Sequence, residues 1–493
     1  MAKMVKTGSE FVMRSLAASA LLSIGLSGCA SYHPKPLSAP ANAARFSKRS
    51  LDSAVLHAFI QTQRGHPVTA WPPKAWTLDD LTLAALHYHP ELALARAHWA
   101  NARAKAITAG AYPNPTLQFL PQYATNADAA ISPWTIGLSV NIPILTADKR
   151  SYRIAEALDK AEAARLDVVQ TAWQIRSHVR KSWLKFYAAQ RRVTLLNNQV
   201  QDASALLDAF RQQLDAGQIS QRQVIQARLR LRNAQLNRAD AKAIERHARA
   251  TLAGAVAVPV TALRGIHFDY AAVRKLPAPK KMPTARFKTY ALTQRPDIRA
   301  ALVRYAASAQ ALKLEIAHQY PNIQIGPGYK WDQGVHRWSI GFSLGLPIFN
   351  QNQGPIAQAR AQREKQAAQF RVLQEHITTQ FNSAMAAYQA SSHQLKLAQY
   401  LLKASQIRLA SARASYQAGE TNRVNLLRIQ LETQGYRLAV LKTQVQAERA
   451  LATLEDALEH PLYQPTAASR AIEKIAPPVH TPSHDPSTEA FSS

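Results

Sequence analysis

The stretches "WTIGLSVNIPIL" (Trp134–Leu145) and "WSIGFSLGLPIF" (Trp338–Phe349) agree at six of twelve positions and begin 204 residues apart. In the first, Ile136, Leu138, Val140 and Ile142 alternate with Thr135, Gly137, Ser139 and Asn141. In the second, Ile340, Phe342, Leu344 and Leu346 alternate with Ser339, Gly341, Ser343 and Gly345. A period of two predicts strands with one apolar face and one small, polar face. Such faces suit a membrane barrel, greasy outside and wet inside, and Trp134 and Trp338 open their strands where an interfacial aromatic girdle lies. A soluble sandwich strand also alternates and is the competing reading.

The repeat extends well beyond these strands. "LHYHPEL" (Leu86–Leu92) parallels "LTQRPDI" (Leu292–Ile298), and "YPNP" at Tyr112 parallels "YPNI" at Tyr320. "LDAGQIS" (Leu214–Ser220) likewise parallels "YQAGETN" (Tyr416–Asn422). A unit of about two hundred residues is therefore written twice. Each copy reads helix, strand pair, very long helix, Ala-Gly turn, helix. The expected divisions are a signal over 1–28, a Pro-rich segment over 29–76, a first repeat over 77–256, a linker over 257–283, a second repeat over 284–460 and a Pro/Ser-rich tail over 461–493, unstructured toward its end.

Strand partners are expected at Thr116–Tyr123 and Asn322–Trp331, although Pro121 and Pro327 interrupt a ladder. The loops between partners are expected at 124–133 and 332–337. Four strands cannot close a membrane barrel, and open edges are prohibitive in lipid. Several chains must therefore share one barrel.

The long helices carry a three–four alternation of apolar residues. In the first copy it runs from Ile154 to Leu214, broken only by Arg165 and Ser182. In the second it runs from Phe381 to Tyr416. Counted back from Gly217 and Gly419, the two seams share one register, as in a coiled coil. A helix from Ala147 to Leu214 is about 100 Å long at 1.5 Å per residue. Shorter helices at 79–111 and 221–256 match it when stacked end to end, and 284–318 and 422–459 repeat the arrangement.

Export is written at the N-terminus. Lys3, Lys6 and Arg14 precede a short apolar run, and "LSGC" (Leu26–Cys29) resembles a bacterial lipoprotein signal with Cys29 as the lipidated residue. Cys29 is the only cysteine, so a lone chain forms no internal disulfide. Residues 1–28 hold three basic residues and Glu10, so their removal lowers the net charge from +29 by two, to +27. Export argues against nucleic acid as the partner of this basic chain.

At this point the sequence resembles the TolC family of outer-membrane efflux ducts, over about residues 77–461. "AYPNPTLQF", "IPILTADKRSYRIAEA" and "LPIFNQNQGPIAQARA" look most like its heavy-metal branch, typified by CzcC. The resemblance implies a homotrimer with a twelve-stranded barrel in outer-membrane lipid and an α-helical barrel below it. It also implies a periplasmic adaptor and an inner-membrane resistance-nodulation-division pump. Gly217 and Gly419 match the family's tip glycines, where adaptor hairpins dock; Ser220 is the better match to the hydroxyl that often follows, and the second tip has Thr421 and Asn422 instead. Where the family carries acidic residues near the pore constriction, this chain has Gln223, Asn425 and Arg428. Two readings of Arg428 stay open: a ring of arginines around the entrance, or a pair with Glu432 one turn away.

No catalytic constellation emerges. His87 and His89 point apart on a helix, and "GPGYKWDQG" from Gly326 lacks the setting of a phosphate loop. The expectation is a transport component with no enzymatic activity and no cofactor beyond the covalent lipid. Competing readings are a coiled-coil adaptor, a structural lipoprotein, or a duct serving drug efflux or type I secretion.

Overall fold

The computed structural model describes residues 31–65, 70–126, 131–274, 276–279, 282–462 and 466–477. Cys29 and the export signal lie outside them, as do 127–130 of the first strand loop. The chain divides into a unit ending at Lys48 and a second beginning at Arg49. The first contains α1 (Ala39–Ser47), whose N-terminus is capped by the Ser38 hydroxyl.

The second unit opens with α2 (Ala54–Arg64), α3 (Leu78–Tyr88) and α4 (Pro90–Gly110). The expected single helix over 79–111 is thus two helices, broken at His89. The next residue is Pro90, which lacks an N–H and drives its predecessor into an extended conformation, here ψ 123°. After β1 (Thr116–Tyr123) and β2 (Trp134–Ile144) come α5 (Lys149–Asp215) and α6 (Gln221–Val256). The second copy repeats the order as α7 (Thr284–Thr293), α8 (Pro296–Ala317), β3 (Ile323–Asp332), β4 (Val335–Leu344), α9 (Gln353–Gln417) and α10 (Arg423–Leu458). Pro296 splits α7 from α8 as Pro90 splits α3 from α4. Both long helices are entered through a left-handed residue, Asp148 (φ 53°) or Asn352 (φ 63°), types that tolerate this conformation.

The tail is not wholly irregular: α11 (Ala467–Lys474) packs against α2, α3 and α5. Among the described residues no helix is long and apolar enough to cross a membrane.

The long helices span 67 and 65 residues, so the first is about 100 Å long. Their seams are buried as the heptads require: Val168, Ala172, Ile175, Val179 and Phe186 in α5; Phe381, Ala384 and Tyr388 in α9. Arg165 does not break its seam. It is buried, bonded to Glu162 and, through Nη1, to the Ala476 carbonyl beyond α11 at 2.6 Å. Helices α4 and α6 lie along α5, which also packs against α8 and α10; these lie along α9. The order across the layer is α4/α6, α5, α8/α10, α9.

The four strands form one antiparallel sheet in sequence order. Pairs such as Phe119↔Leu138, Leu138↔Tyr329 and Ile325↔Phe342 align apolar residues across all of it. The β1 range is as expected, and Pro121 lies there at a sheet edge. Pro327 falls inside β3, where its missing N–H interrupts pairing with β2 between Ser139↔Gly328 and Ile142↔Ile325. The expected loop over 332–337 contracts to a two-residue turn, Gln333 (φ 51°) and Gly334 (φ 98°), the positive-φ pair of a tight hairpin. β4 also ends at Leu344, so Leu346 lies beyond the strand.

Below the sheet, α2, α3, α11 and the middle of α5 share a core with the 257–274 segment, centred on Trp76, Leu81, Leu86, Trp183 and Leu252. Beside it runs a buried charge network linking the repeats. Arg180 of α5 binds Glu455 of α10 and lies 4.0 Å from Glu448, while Arg176 reaches Glu455 at 3.2 Å. Burial pushes the Glu448 carboxyl up to about 7, opposed by Arg180 and reinforced by Glu455. Burial pushes the Tyr388 hydroxyl of α9 up, opposed by its hydrogen bond with Ser392 and reinforced by the Glu448 charge. Glu448 thus stays protonated in the fold above its ordinary value of 4.5. The stability this provides is complete below pH 4.5 and is lost as pH rises through about 7. Glu448→Gln should flatten the loss of thermal stability across that window, measured by unfolding the solubilised protein at stepped pH.

Candidate functional site

Two regions carry the candidate residues: the sheet and the two helical turns. On the sheet, cross-strand register sorts side chains cleanly. One face holds Leu117, Phe119, Ile136, Leu138, Val140, Ile325, Ile340, Phe342 and Leu344. Leu138, Ile340 and Phe342 are exposed at 42, 84 and 81 % within the chain. Apart from Leu120 and Val335, the other face is polar or small and is joined across strands: Ser139 donates to Gln118, Asn141 to Gln324 at 2.8 Å, and Thr135 to Asp332 at 2.9 Å. Gly137, Gly326, Gly328 and Gly341 keep that face low. A side-chain carbon on Gly328 would lie 2.8 Å from Ser339 Oγ.

Aromatic rings gather at the hairpin-turn end of the apolar face. Tyr123 meets Trp134 edge-on at 5.0 Å and Tyr329 meets Trp338 at 4.9 Å. Tyr112, Tyr320 and Phe349 are exposed beyond the opposite end. An apolar band between two aromatic rows is the pattern of a membrane-spanning β-structure. Among the described residues, no strand lies beside the outer edge of β1 or β4.

Each helical turn is closed by a left-handed glycine, Gly217 at φ 70° and Gly419 at φ 76°. At the first, Gln218 N donates to the Gln213 carbonyl and Gly217 N to that of Leu214, both at 2.8 Å. At the second, Glu420 N donates to the Ser415 carbonyl at 2.9 Å and Gly419 N to that of Tyr416 at 3.1 Å. These are Schellman closures, which require positive φ. A Cβ on either glycine would meet nothing within 4 Å.

The first residue before each return helix is Ser220 in one copy and Asn422 in the other. Thr421 and Asn422 are the two polar residues that the sequence offers at the second turn. It is Asn422 whose side chain caps α10, accepting from Asn425 N at 2.9 Å, while Thr421 Oγ1 accepts from the Asn425 amide. Gln223 is partly buried, and its Oε1 has no partner among the described residues. Arg428 is exposed, its guanidinium over the Phe210 ring of α5 at 5.5 Å. Glu432 pairs instead with Arg408 of α9 at 2.9 Å. Arg428 borders a groove of about 410 Å³ that also takes in Arg230, Asn233, Asn237 and Glu432. Just above it, buried Asp202 of α5 accepts from Gln430 at 2.6 Å and Gln434 at 2.9 Å.

His87 packs against the Phe59 and Tyr88 rings, and His89 Nδ1 faces Glu91 N at the start of α4. Both act locally.

A sheet fit for lipid, set on paired helices far longer than a bilayer is thick, defines a channel protein of the outer membrane. The family model for outer membrane efflux proteins matches residues 81–258 and 289–460, and the chain belongs to that family. It is an outer-membrane efflux channel. It is 28 % identical over 350 residues to the cobalt-zinc-cadmium resistance protein CzcC of Cupriavidus metallidurans, covering 70 % of this chain and 80 % of that one. Its fold is similar to that of VceC from Vibrio cholerae, with a TM-score of 0.64 at 18 % identity, covering 78 % of this chain and 97 % of the other. It is similar too to the CmeC channel of Campylobacter jejuni, at 0.63 and 16 %, covering 81 % and 89 %.

Proposed function

We propose that three copies of the chain close a twelve-stranded barrel in the outer membrane, and that their helices continue it as a tube into the periplasm. The observation that carries this is the sheet: one face apolar apart from His336 beside the hairpin turn, both edges open. Strands of 8 to 11 residues suit the hydrocarbon thickness. Ile136, Leu138, Val140, Ile340, Phe342 and Leu344 then face lipid. Cys29 carries the lipid anchor. The turns at Gly217, Ser220, Gly419 and Thr421 receive a periplasmic adaptor, which joins the duct to an inner-membrane pump of the resistance-nodulation-division type. The chain itself performs no chemistry and holds no cofactor.

The name of the Cupriavidus relative points to divalent metal ions as cargo. The tip argues for anions, or for metal in anionic complexes. Gln223, Asn425 and Arg428 bring no negative charge to it, and threefold symmetry sets three Arg428 guanidinium groups around the entrance. One preparation tests both levels. The detergent-solubilised protein should size as a trimer and conduct in planar bilayers; conducting, monodisperse monomers would overturn the reading. Under a salt gradient, Arg428→Asp should move the reversal potential toward cation selectivity, more at low salt than at high, because screening acts over about 10 Å at 0.1 M. An unchanged reversal potential at low salt would remove Arg428 from the constriction.

A further inference from the structure

Charge on the polar face of the sheet is confined to one place. Along the four strands that face carries three charged residues, Lys330, Asp332 and Arg337, all in the β3–β4 hairpin. Every strand joins its helix at the opposite end: β1 follows α4, β2 leads into α5, β3 follows α8 and β4 leads into α9. The three charges therefore stand at the end of the sheet farthest from the helices.

Their arrangement favours the positive sign. Lys330 lies directly opposite Arg337 across the ladder, and its other cross-strand neighbour is Gly137. Like charges in that position cost a sheet stability, so packing gains nothing from them. Asp332 accepts its hydrogen bond from Thr135, and it lies 3.6 Å from Lys330 Nζ and 3.6 Å from Arg337 Nη2. One carboxylate thus answers two cations, and both cations stay open to solvent. The wall around them is low, since Gly137, Gly328, Ser139 and Ser339 fill the neighbouring positions. Asp128, the one charged residue of the loop between β1 and β2, lies outside the described residues.

We infer that Lys330 and Arg337 form a cationic collar at the far mouth of the duct, which favours small anions over cations on their way out. The inference rests on the trimeric reading above. It deepens the anionic-cargo reading from residues at the other end of the duct from Arg428. Three copies bring six cations against three Asp332 carboxylates. Twelve strands about 4.8 Å apart and tilted by about 40° enclose a lumen of about 12 Å backbone radius. Lysine and arginine stems carry their charge well inside that radius, so it acts on the axis within the screening length of about 10 Å at 0.1 M salt. Rings of such side chains are how pores select anions.

Reversal potentials in planar bilayers under a potassium chloride gradient test the collar. The parent is full-length protein carrying Arg428→Gln, which takes the tip arginines out of the comparison, and Asp128 is the same in every form. Relative to that parent, Lys330→Gln/Arg337→Gln should lower the chloride-to-potassium permeability ratio by roughly threefold in dilute salt. Asp332→Asn should raise it, a shift of opposite sign that the loss of a merely structural ion pair does not give. Both shifts should fade at 1 M salt, where screening acts over about 3 Å. Trimers that conduct with one reversal potential in all three forms, or that move the same way in both variants, would overturn the collar and leave the trimeric reading standing. Conducting, monodisperse monomers would overturn that reading and the collar with it.

Discussion

Cells carrying Gly217→Asp together with Gly419→Asp should lose pump-dependent efflux, while the protein still reaches the membrane and keeps its oligomeric state. The physical case rests on separating two costs. Aspartate tolerates the left-handed conformation better than most residues, so each substitution costs the turn about 1 kcal/mol. Helices of 67 and 65 residues absorb such a loss at their ends. A Cβ at either position meets nothing within 4 Å, so the effect of the added charge falls on whatever docks there. Efflux by export assay and assembly by detergent sizing read the two costs separately. Full efflux from the double variant would take the turns out of the mechanism.

On the proposed barrel reading, Ile340→Arg should be the most destabilising substitution on the apolar face, by about 2–4 kcal/mol per arginine near the midplane. Ile340 lies in the middle of β4 and pairs with Pro327; Leu138, in the middle of β2 between Phe119 and Tyr329, should behave alike. Leu344 closes its strand opposite Ile323, away from the hairpin turn. Depth predicts a much smaller cost there, about 0–1 kcal/mol near the interface. Heat-modifiable mobility or urea unfolding in lipid vesicles should rank Ile340 and Leu138 well above Leu344. Equal costs at all three would mean that the apolar face does not look into lipid.

The periodic features were legible because each repeats over many residues. The alternation from Trp134 and the heptads from Ile154 need no distant contact to be seen. What escaped was set by single residues or by remote ones. Pro90 and Pro296 stood in view inside the repeated motifs, yet the apolar rhythm ran through them and hid the breaks. Gln333–Gly334 tightened a hairpin because a two-residue turn needs only those two conformations. Arg165 looked like a fault in the seam, since its carbonyl partner at Ala476 lies 311 residues away. The Arg180–Glu455 pair spans 275 residues and follows no spacing rule. At the turns the glycines were plain, whereas choosing between Thr421 and Asn422 as the cap needed the backbone itself.

The open edges of β1 and β4 bear on inheritance. A sheet with two unpaired edges has no stable place in lipid on its own, so insertion and assembly are a single event that each subunit can spoil. A chain damaged at either edge but sound in its helices would still join its neighbours and block closure. In the proposed trimer, intact complexes then fall as the cube of the wild-type share, and equal expression of both forms leaves roughly one in eight. Edge lesions in this gene should therefore be dominant over a normal copy, whereas lesions that prevent the chain from folding at all should be recessive.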